Sequence, residues 1–285
     1  MRKKNKIPKT MLLLMLILAM LGTCFVSAGA TTVPYRTVQQ SQKPVKVGNS
    51  YVWQQSDREI KVKKSKNSLI KSVRGKYQGI EGITNGSTIY YISREYGEAT
   101  DYVRFVLGKY SIATGKHTEY KRLEGHGSIC GYYNNKIYYA DGGADYGQFY
   151  SFDTKTKKTS LISNSFYGSY SYGEYVLGTE CSSNRNQLKA YNMKTKKFII
   201  LSSKDTGISL RAYGEYYYYA KYIAKASGDM DKYKIYKFNL KTGKSAPVSK
   251  TFTALFVDDI TNKKVTYYQG EEADIDTWKS YALNY

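Results

Sequence analysis

The chain has 285 residues, with 44 Lys or Arg against 23 Asp or Glu, and its formal net charge is +21. It contains 32 Tyr but only four Pro and three Cys. A chain of this length buries a sizeable core without disulfide bonds, so a small disulfide-dependent protein is excluded. The positive charge concerns association with anionic partners and not the fold.

The first 30 residues have the features of a secretory signal peptide. Five basic residues between positions 2 and 9 precede an apolar run at residues 11–21, and small residues follow at 26–30. This order is typical of a cleaved leader, and the run is shorter than the roughly 20 residues that span a bilayer. We therefore predict a signal peptide at 1–30, a single domain at 31–285, and a secreted or cell-surface protein.

Two other outcomes for the leader stay open. Leu21-Gly22-Thr23-Cys24 resembles a lipoprotein box, except that Thr23 stands where Gly, Ala or Ser is usual. A lipid on Cys24 is therefore one alternative, and an uncleaved anchor is the other. Removing the five basic residues lowers the net charge from +21 to +16. An exported protein of this charge meets wall polymers, phospholipid headgroups and acidic polysaccharides, and we expect no nucleic-acid partner.

One short motif recurs along the rest of the chain. It reads YSIATGK, FDTKTKK, YNMKTKK and FNLKTGK, with its Thr at positions 114, 156, 195 and 242. The steps of 42, 39 and 47 residues are typical of repeat architectures. Before each motif a turn, such as Asn85-Gly86, leads into a Tyr-rich stretch, which is a hairpin signal. Helical repeats are disfavoured because no helical periodicity follows the leader.

Each repeat therefore contains four short strands, which we label A to D, and the chain is predicted to be an all-β β-propeller. Six four-stranded blades are expected at about residues 43–73, 77–123, 127–163, 166–202, 208–249 and 252–285, with seven blades as the alternative. The last blade stops before a fourth strand. A strand at residues 33–38 is predicted to supply it and to close the ring, because closure removes an unpaired edge.

The repeat motif, an aromatic residue followed by three residues and Thr-Gly-Lys, resembles the hairpin of secreted bacterial TolB-like six-bladed β-propellers. The resemblance covers nearly all of the chain after the leader. It implies the six-bladed fold and an exported protein. The motif builds hairpins and carries no catalytic residue onto any position here, and the repeating signatures of WD40 and Kelch propellers are absent from the sequence.

In a four-stranded blade the B–C and D–A loops share one face, and the A–B and C–D turns share the other. The predicted B–C loops hold just over half of the 23 acidic residues. We predict that this face and the central mouth bind a glycan, a wall polymer or a protein without catalysis. The candidate binding residues are Tyr96, Asp101, His126, Asp141, Asp145, Tyr146, Glu180, Asp229 and Asp231.

Two other interpretations of the loop carboxylates stay open. A glycoside hydrolase or lyase needs two carboxyl groups about 5–10 Å apart, a distance that the sequence does not supply, and no catalytic residue is assigned. Asp229, Asp231, Asp274 and Asp276 cluster the oxygen ligands that Ca²⁺ prefers, but they match no EF-hand loop. No cofactor beyond this calcium candidate is predicted, because the His and Cys residues lack zinc-ligand spacing.

The predicted C–D turns are rich in lysine and contain one acidic residue, Asp153. Their lysines are Lys64, Lys66, Lys116, Lys155, Lys157, Lys158, Lys194, Lys196, Lys197, Lys241 and Lys244. Such lysines either keep exposed edges soluble or dock the face on an anionic cell-wall or membrane surface, at about 1 kcal/mol per Lys. A monomer is expected. Pairing of Cys130 with Cys181 stays open, because the sequence does not show whether their Cα atoms lie within about 7 Å.

Overall fold

The computed structural model describes residues 33–74, 79–96, 103–125, 127–142, 147–182, 185–204, 212–213, 215–260, 263–269 and 278–283. These residues form strands and turns and contain no helix. None of them therefore forms a helix suited to crossing a membrane. The predicted signal peptide and Cys24 lie outside the described residues.

The described residues form 25 strands, most of them between four and nine residues long. In chain order they are β1 (Arg36–Thr37), β2 (Lys46–Val47), β3 (Ser50–Ser56), β4 (Glu59–Lys63), β5 (Lys71–Arg74), β6 (Gly79–Thr84), β7 (Thr88–Tyr96), β8 (Val103–Ser111), β9 (His117–Glu124), β10 (Ser128–Tyr133), β11 (Lys136–Asp141), β12 (Gln148–Asp153), β13 (Thr159–Ser163), β14 (Phe166–Tyr172), β15 (Tyr175–Ser182), β16 (Arg185–Asn192), β17 (Lys197–Ser202), β18 (Ala212–Tyr213), β19 (Tyr216–Lys225), β20 (Asp231–Asn239), β21 (Lys244–Pro247), β22 (Phe252–Ala254), β23 (Phe256–Ile260), β24 (Lys264–Tyr268) and β25 (Trp278–Ala282).

Consecutive strands pair antiparallel and make six blades, so the predicted six-bladed β-propeller is confirmed. The blades are β2–β5, β6–β9, β10–β13, β14–β17, β18–β22 and β23–β25. One predicted boundary moves. Residues Phe252–Ala254 pair with β20 and extend the outer strand of blade 5, whereas the sequence placed them at the start of blade 6. Within the described residues blade 6 has three strands.

Within the described residues the hydrophobic core is divided into five clusters, each between two successive blades. Phe105 and Tyr139 lie between blades 2 and 3, and Leu177 and Tyr217 lie between blades 4 and 5. Tyrosine side chains therefore fill much of the space between neighbouring blades. Full burial of a large apolar side chain is worth about 1.5–3 kcal/mol, so these inter-blade layers dominate the stability of the ring.

The repeat motif forms the C–D hairpin, as predicted. Its aromatic residue is buried in all four copies: Tyr110, Phe152, Tyr191 and Phe238. In three copies the next side chain accepts hydrogen bonds at 2.9–3.0 Å from the main-chain N–H groups two and three residues later; these residues are Asp153, Asn192 and Asn239. The side chain thus gives the main-chain N–H groups of the turn the hydrogen-bond partners that strand pairing no longer supplies there.

The same motif fastens each C–D hairpin to the A–B turn of its own blade. The residue that follows the Asp, Asn or Ser donates its main-chain N–H to a carbonyl of the A–B turn at 2.8–3.0 Å. The four pairs are Ile112 with Ser87, Thr154 with Asn135, Met193 with Glu174, and Leu240 with Glu215. The two kinds of turn therefore lie side by side at one end of every blade that carries the motif.

The N-terminal segment does not complete the last blade, and that prediction is wrong. Arg36–Thr37 pairs with the innermost strands of two other blades, β6 of blade 2 and β14 of blade 4. The Gln39 carbonyl accepts the Gln54 N–H at 2.9 Å in blade 1. We call residues 34–42 the axial segment. The edges of the inner strands that face the propeller axis carry N–H and C=O groups in need of partners. The axial segment pairs with these edges on both of its sides.

A substitution at Thr37 tests the contribution of the axial segment to stability. Thr37 Oγ1 accepts the Ser171 N–H at 2.8 Å, and Ser171 is 1% exposed. Thr37→Val leaves this N–H without a partner and is expected to lower the free energy of unfolding by about 1–3 kcal/mol. Thr37→Ser keeps the oxygen and should cost less than about 1 kcal/mol.

Urea unfolding of residues 31–285, which contain the compact unit Pro34–Tyr285, measures both variants. Equal losses for Val and Ser would show that the hydroxyl has no such role.

A second prediction concerns the backbone of the repeat motif. Lys196 has a φ of 57°, where two other copies have Gly115 and Gly243. Because a side chain with positive φ costs about 1–2 kcal/mol, Lys196→Gly is expected to raise the free energy of unfolding by about 1 kcal/mol. Lys155→Gly, in another turn but without a positive φ, should lower it by about 0.5–1 kcal/mol. The same unfolding measurement compares the two, and a loss at both positions would contradict the argument.

Candidate ligand-binding cavity

A cavity of about 720 Å³ lies beside the axial segment, between it and blades 4 and 5. Its lining residues are Thr37, Val38, Gln39, Gln40, Ser41, Gln42, Ser169, Tyr170, Ala212 and Tyr213. The volume falls in the range of small-molecule sites, about 300–1,000 Å³. We call it the axial cavity.

One wall of the axial cavity is the axial segment itself. The main chain of this segment is held by blade 1, because Gln54 donates its N–H to the Gln39 carbonyl and accepts the Ser41 N–H at 3.0 Å. Ser41 Oγ in turn donates to the Lys43 carbonyl at 2.8 Å. The side-chain amides of the glutamines make no hydrogen bond to another described residue. Each of the three amides therefore has donors and acceptors available to a ligand.

The opposite wall comes from the innermost strand of blade 4. The register of β14 against β15 shifts between Gly168 and Tyr170, so Ser169 is the extra residue of a bulge. A bulge re-aims a side chain out of the regular alternation, and Ser169 is exposed on the cavity wall. Tyr170 beside it is buried, and this burial raises its pKa to about 12. Its hydroxyl therefore remains protonated near neutral pH.

Blade 5 supplies the remaining surface through Ala212 and Tyr213 of β18. The Tyr213 ring packs edge-on against Tyr218 at 6.1 Å between centroids. None of the ten lining residues is acidic, basic or a histidine. The cavity therefore combines neutral amides and hydroxyls with aromatic surface, a chemistry suited to a polar ligand that carries no charge.

Four of the nine candidate binding residues lie outside the described part of the chain. These are Asp101, His126, Asp145 and Tyr146, together with the calcium candidates Asp274 and Asp276. Tyr96 ends β7, and its side chain is also outside the description. Asp141, Glu180, Asp229 and Asp231 are described, and none of them lines the axial cavity.

Asp141 and Glu180 each lie against a neighbour in the fold. The Asp141 carboxylate approaches the Gly125 backbone so closely that a Cβ there would lie 2.3 Å from Oδ1. Glu180 forms an ion pair with Lys189 on the facing strand, and Ser165 Oγ donates to it at 3.4 Å. Both carboxylates thus take part in packing or pairing within or between blades.

Asp229 and Asp231 differ sharply although they are two residues apart. Asp229 is exposed in the turn that precedes β20. Asp231 begins that strand and is 1% exposed. It forms ion pairs with Lys204 and, at 3.8 Å, with Lys225. The Tyr233 hydroxyl donates to its Oδ2 at 3.1 Å.

The calcium site stays a prediction. Among the described residues no group of three or more His, Cys, Asp or Glu side chains is placed to hold a metal ion.

Cys130 and Cys181 are not bonded to each other. Cys130 is buried in β10, where its Sγ lies 3.0 Å from the Gly168 carbonyl, and burial raises the pKa of its thiol. Cys130 is therefore held as a protonated packing residue.

An ionic and hydroxyl network links the inner strands of blades 2, 3 and 4. Arg94 pairs with Glu81 and donates to Ser128 Oγ at 3.4 Å, which also accepts the Tyr167 hydroxyl at 3.0 Å. These residues belong to no motif of the sequence. Their partners come from three different repeats, so no local pattern identifies them.

The amide residues of the axial cavity were also missed. The available signal was the run Gln39-Gln40-Ser41-Gln42, which is polar, uncharged and placed just before the first blade. This run did not indicate a site, because the preceding residues were predicted to form an outer strand and because glutamine has no spacing rule like that of metal ligands.

Comparison with known proteins adds the following. No family model matches the sequence, and no curated protein matches it. Similar solved structures include a putative TolB from Agrobacterium tumefaciens, with 9% identity, a TM-score of 0.47, and coverage of 78% of this chain and 88% of that one. An acylaminoacyl peptidase from Pyrococcus horikoshii has 10% identity and a TM-score of 0.49, with 83% of this chain covered and 42% of that one.

An oligogalacturonate lyase from Vibrio parahaemolyticus has 9% identity and a TM-score of 0.45, with 83% of this chain covered and 74% of that one. The chain thus spans less than half of the peptidase and about three quarters of the lyase. TolB proteins are among the structures that this chain is similar to, as the resemblance implied. At such identities the similarity concerns the fold alone.

The position of Asp231 gives a prediction with an internal control. Asp231→Asn removes the charge that two lysines and a tyrosine contact, and hydrogen bonds to charged groups contribute about 1.5–3 kcal/mol. We expect a loss of that size in the free energy of unfolding. Asp229→Asn, in the exposed turn, should change it by less than about 0.5 kcal/mol. Urea unfolding compares the two, and a neutral Asp231→Asn would contradict the structural role.

Proposed function

We propose that the protein is an exported, non-catalytic binding module of the bacterial surface, and that its axial cavity takes a neutral, hydroxyl-rich ligand such as a glycan segment. The observation that carries this proposal is the lining of the cavity, which consists of three glutamine amides, three hydroxyl residues other than Tyr, two tyrosines and two aliphatic residues. The leader at residues 1–30 supports export.

A glycan fits this lining for a chemical reason. Each sugar hydroxyl both donates and accepts a hydrogen bond, and an amide side chain or a Ser hydroxyl offers the same pair of functions. Sugar rings also present apolar C–H faces, which an aromatic side chain such as the partly exposed Tyr213 covers. An anionic polymer would instead call for Lys or Arg, and the described lining has neither.

The wall formed by the axial segment is held in place before any ligand arrives. Its backbone is bonded to blades 1, 2 and 4, so binding does not have to order it. Preorganisation of this kind lowers the entropic cost of binding. It also supports recognition by a fixed surface in preference to closure of a loop over the ligand.

Binding is favoured over hydrolysis by the residues that face the cavity. Glycoside hydrolysis uses a pair of carboxyl groups on either side of the bond. The described lining residues supply amides and hydroxyls and include no carboxyl group. Of the four described carboxylates among the candidate residues, Glu180 and Asp231 form ion pairs with lysines.

The experiment measures binding of uncharged wall-derived and plant-derived oligosaccharides to residues 31–285 by calorimetry. It compares the parent protein with a variant whose cavity is filled by a large side chain. Ser169→Trp places a large side chain on the cavity wall and should weaken binding at least tenfold. Ser160→Trp, at an exposed position of the outer strand β13, is the matched control and should bind as the parent does. Because none of the described lining residues is charged, binding should change less than twofold between low and high salt.

An equal affinity of the Ser169→Trp and Ser160→Trp variants would move the ligand site away from the axial cavity. Equal unfolding midpoints of the two variants confirm that the comparison concerns binding and not folding.

A further inference from the structure

Two adjacent aliphatic side chains are exposed at the C–D connection of blade 1. Leu69 is 88% exposed and Ile70 is 54% exposed. They lie between β4 and β5, directly after a turn and before the outermost strand of the blade. Single exposed aliphatic residues are ordinary, but an adjacent pair with basic neighbours marks a candidate interaction site.

The turn before this pair is closed on itself. Ser68 donates its N–H to the Ser65 carbonyl at 3.2 Å, and the two hydroxyls lie 2.8 Å apart. Lys63 Nζ donates to the Lys66 carbonyl at 2.8 Å. These contacts fix residues 65–68 as a compact turn, and directly after it most of the Leu69 side chain and about half of the Ile70 side chain are exposed to solvent.

The lysines of the turns are neutralised unevenly around the ring. In blades 4 and 5 an acidic residue of the A–B turn pairs with a lysine of the C–D turn: Glu174 with Lys194 at 3.3 Å, and Glu215 with Lys241. In blades 1 to 3 the C–D lysines have no acidic partner within 4 Å among the described residues. These are Lys64, Lys66, Lys116, Lys155, Lys157 and Lys158. Among the described residues Lys196, Lys197 and Lys244 of blades 4 and 5 also lack an acidic partner, so the C–D turns are basic on all five blades. Those near Leu69 and Ile70 contain no paired lysine.

Contacts between blades make these turns one surface. Lys64 Nζ donates to the Ala113 carbonyl, which joins the C–D turns of blades 1 and 2. Lys157, in the C–D turn of blade 3, lies over the Tyr120 ring of blade 2 at 4.3 Å. We call the C–D turns of blades 1 to 3 the basic turn surface.

We propose that the basic turn surface docks on an anionic lipid bilayer, with Leu69 and Ile70 entering the interfacial region and the surrounding lysines contacting lipid phosphates. One apolar element and a polybasic patch together give the two signals that stable membrane association needs. A wall polymer would satisfy the lysines, but it offers no apolar phase for Leu69 and Ile70. The proposal is independent of the ligand of the axial cavity.

The experiment measures co-sedimentation of residues 31–285 with vesicles of phosphatidylcholine alone and of phosphatidylcholine with one quarter phosphatidylglycerol. Binding is expected to the anionic vesicles and to fall as salt increases, since the charges are exposed. Leu69→Ser with Ile70→Ser should weaken it at least tenfold, because both side chains lose their transfer from water. Lys66→Gln with Lys116→Gln, two exposed lysines of the basic turn surface, should weaken it roughly fivefold for each lysine.

Matched controls lie elsewhere on the same chain. Leu161→Ser with Ile200→Ser removes two aliphatic side chains that are 49% and 59% exposed on outer strands. Lys232→Gln with Lys250→Gln removes two charges at exposed positions outside the C–D turns. Both controls should retain at least half of the parent affinity.

Three results would overturn the proposal. The parent protein fails to bind anionic vesicles, or binds neutral vesicles equally well. The Leu69→Ser, Ile70→Ser variant binds as the parent does, which would leave an anionic polymer as the partner of the lysines. Sedimentation shows a dimer that this variant dissociates while vesicle capture is unchanged, which would assign the pair to a second copy of the chain.

Discussion

The fold depends on how the inner edges of the blades are satisfied at the axis. Blades diverge outward, so their innermost strands cannot pair with one another. The axial segment supplies the missing partners: Arg36–Thr37 pairs with β6 and β14, and Gln54 of blade 1 bonds to Gln39 and Ser41. A buried N–H or C=O without a partner costs about 1–3 kcal/mol. One extended segment therefore ties three blades together and, through its glutamine side chains, also provides a wall of the axial cavity.

The repeat was predictable because its determinants are local. Six positions of the motif hold the aromatic residue, the Asp or Asn, and the residue with positive φ. Each copy therefore predicts a hairpin by itself. The position of the axial segment was not predictable in this way. Arg36 faces Tyr172 across the fold, and a two-residue strand carries no periodicity. The sequence contained the correct strand near residues 33–38, but the edge that it pairs with was decided by long-range hydrogen bonding.

The candidate site shows the same division. Acidic residues were singled out because carboxylates are the usual chemistry of binding loops. The structure separates them by environment: Asp229 is exposed, whereas Asp231 is buried between Lys204, Lys225 and Tyr233. Burial is a tertiary property, so the sequence had no means of telling the two apart. The axial cavity is lined instead by amides and hydroxyls, which are common on every surface and acquire meaning only where the fold gathers them.

The two proposed surfaces bind their partners by different interactions. The basic turn surface uses charge and the axial cavity uses hydrogen bonds, a difference that follows from how charged residues are distributed. On each of blades 4 and 5 one lysine is paired, with Glu174 or Glu215 from the neighbouring turn, whereas no C–D lysine of blades 1 to 3 has an acidic partner among the described residues. The axial cavity lies between the axial segment and blades 4 and 5, and none of its described lining residues is charged. Salt screens the field of the exposed turn lysines within about 8–10 Å. The axial cavity can therefore select its ligand by hydrogen-bond geometry.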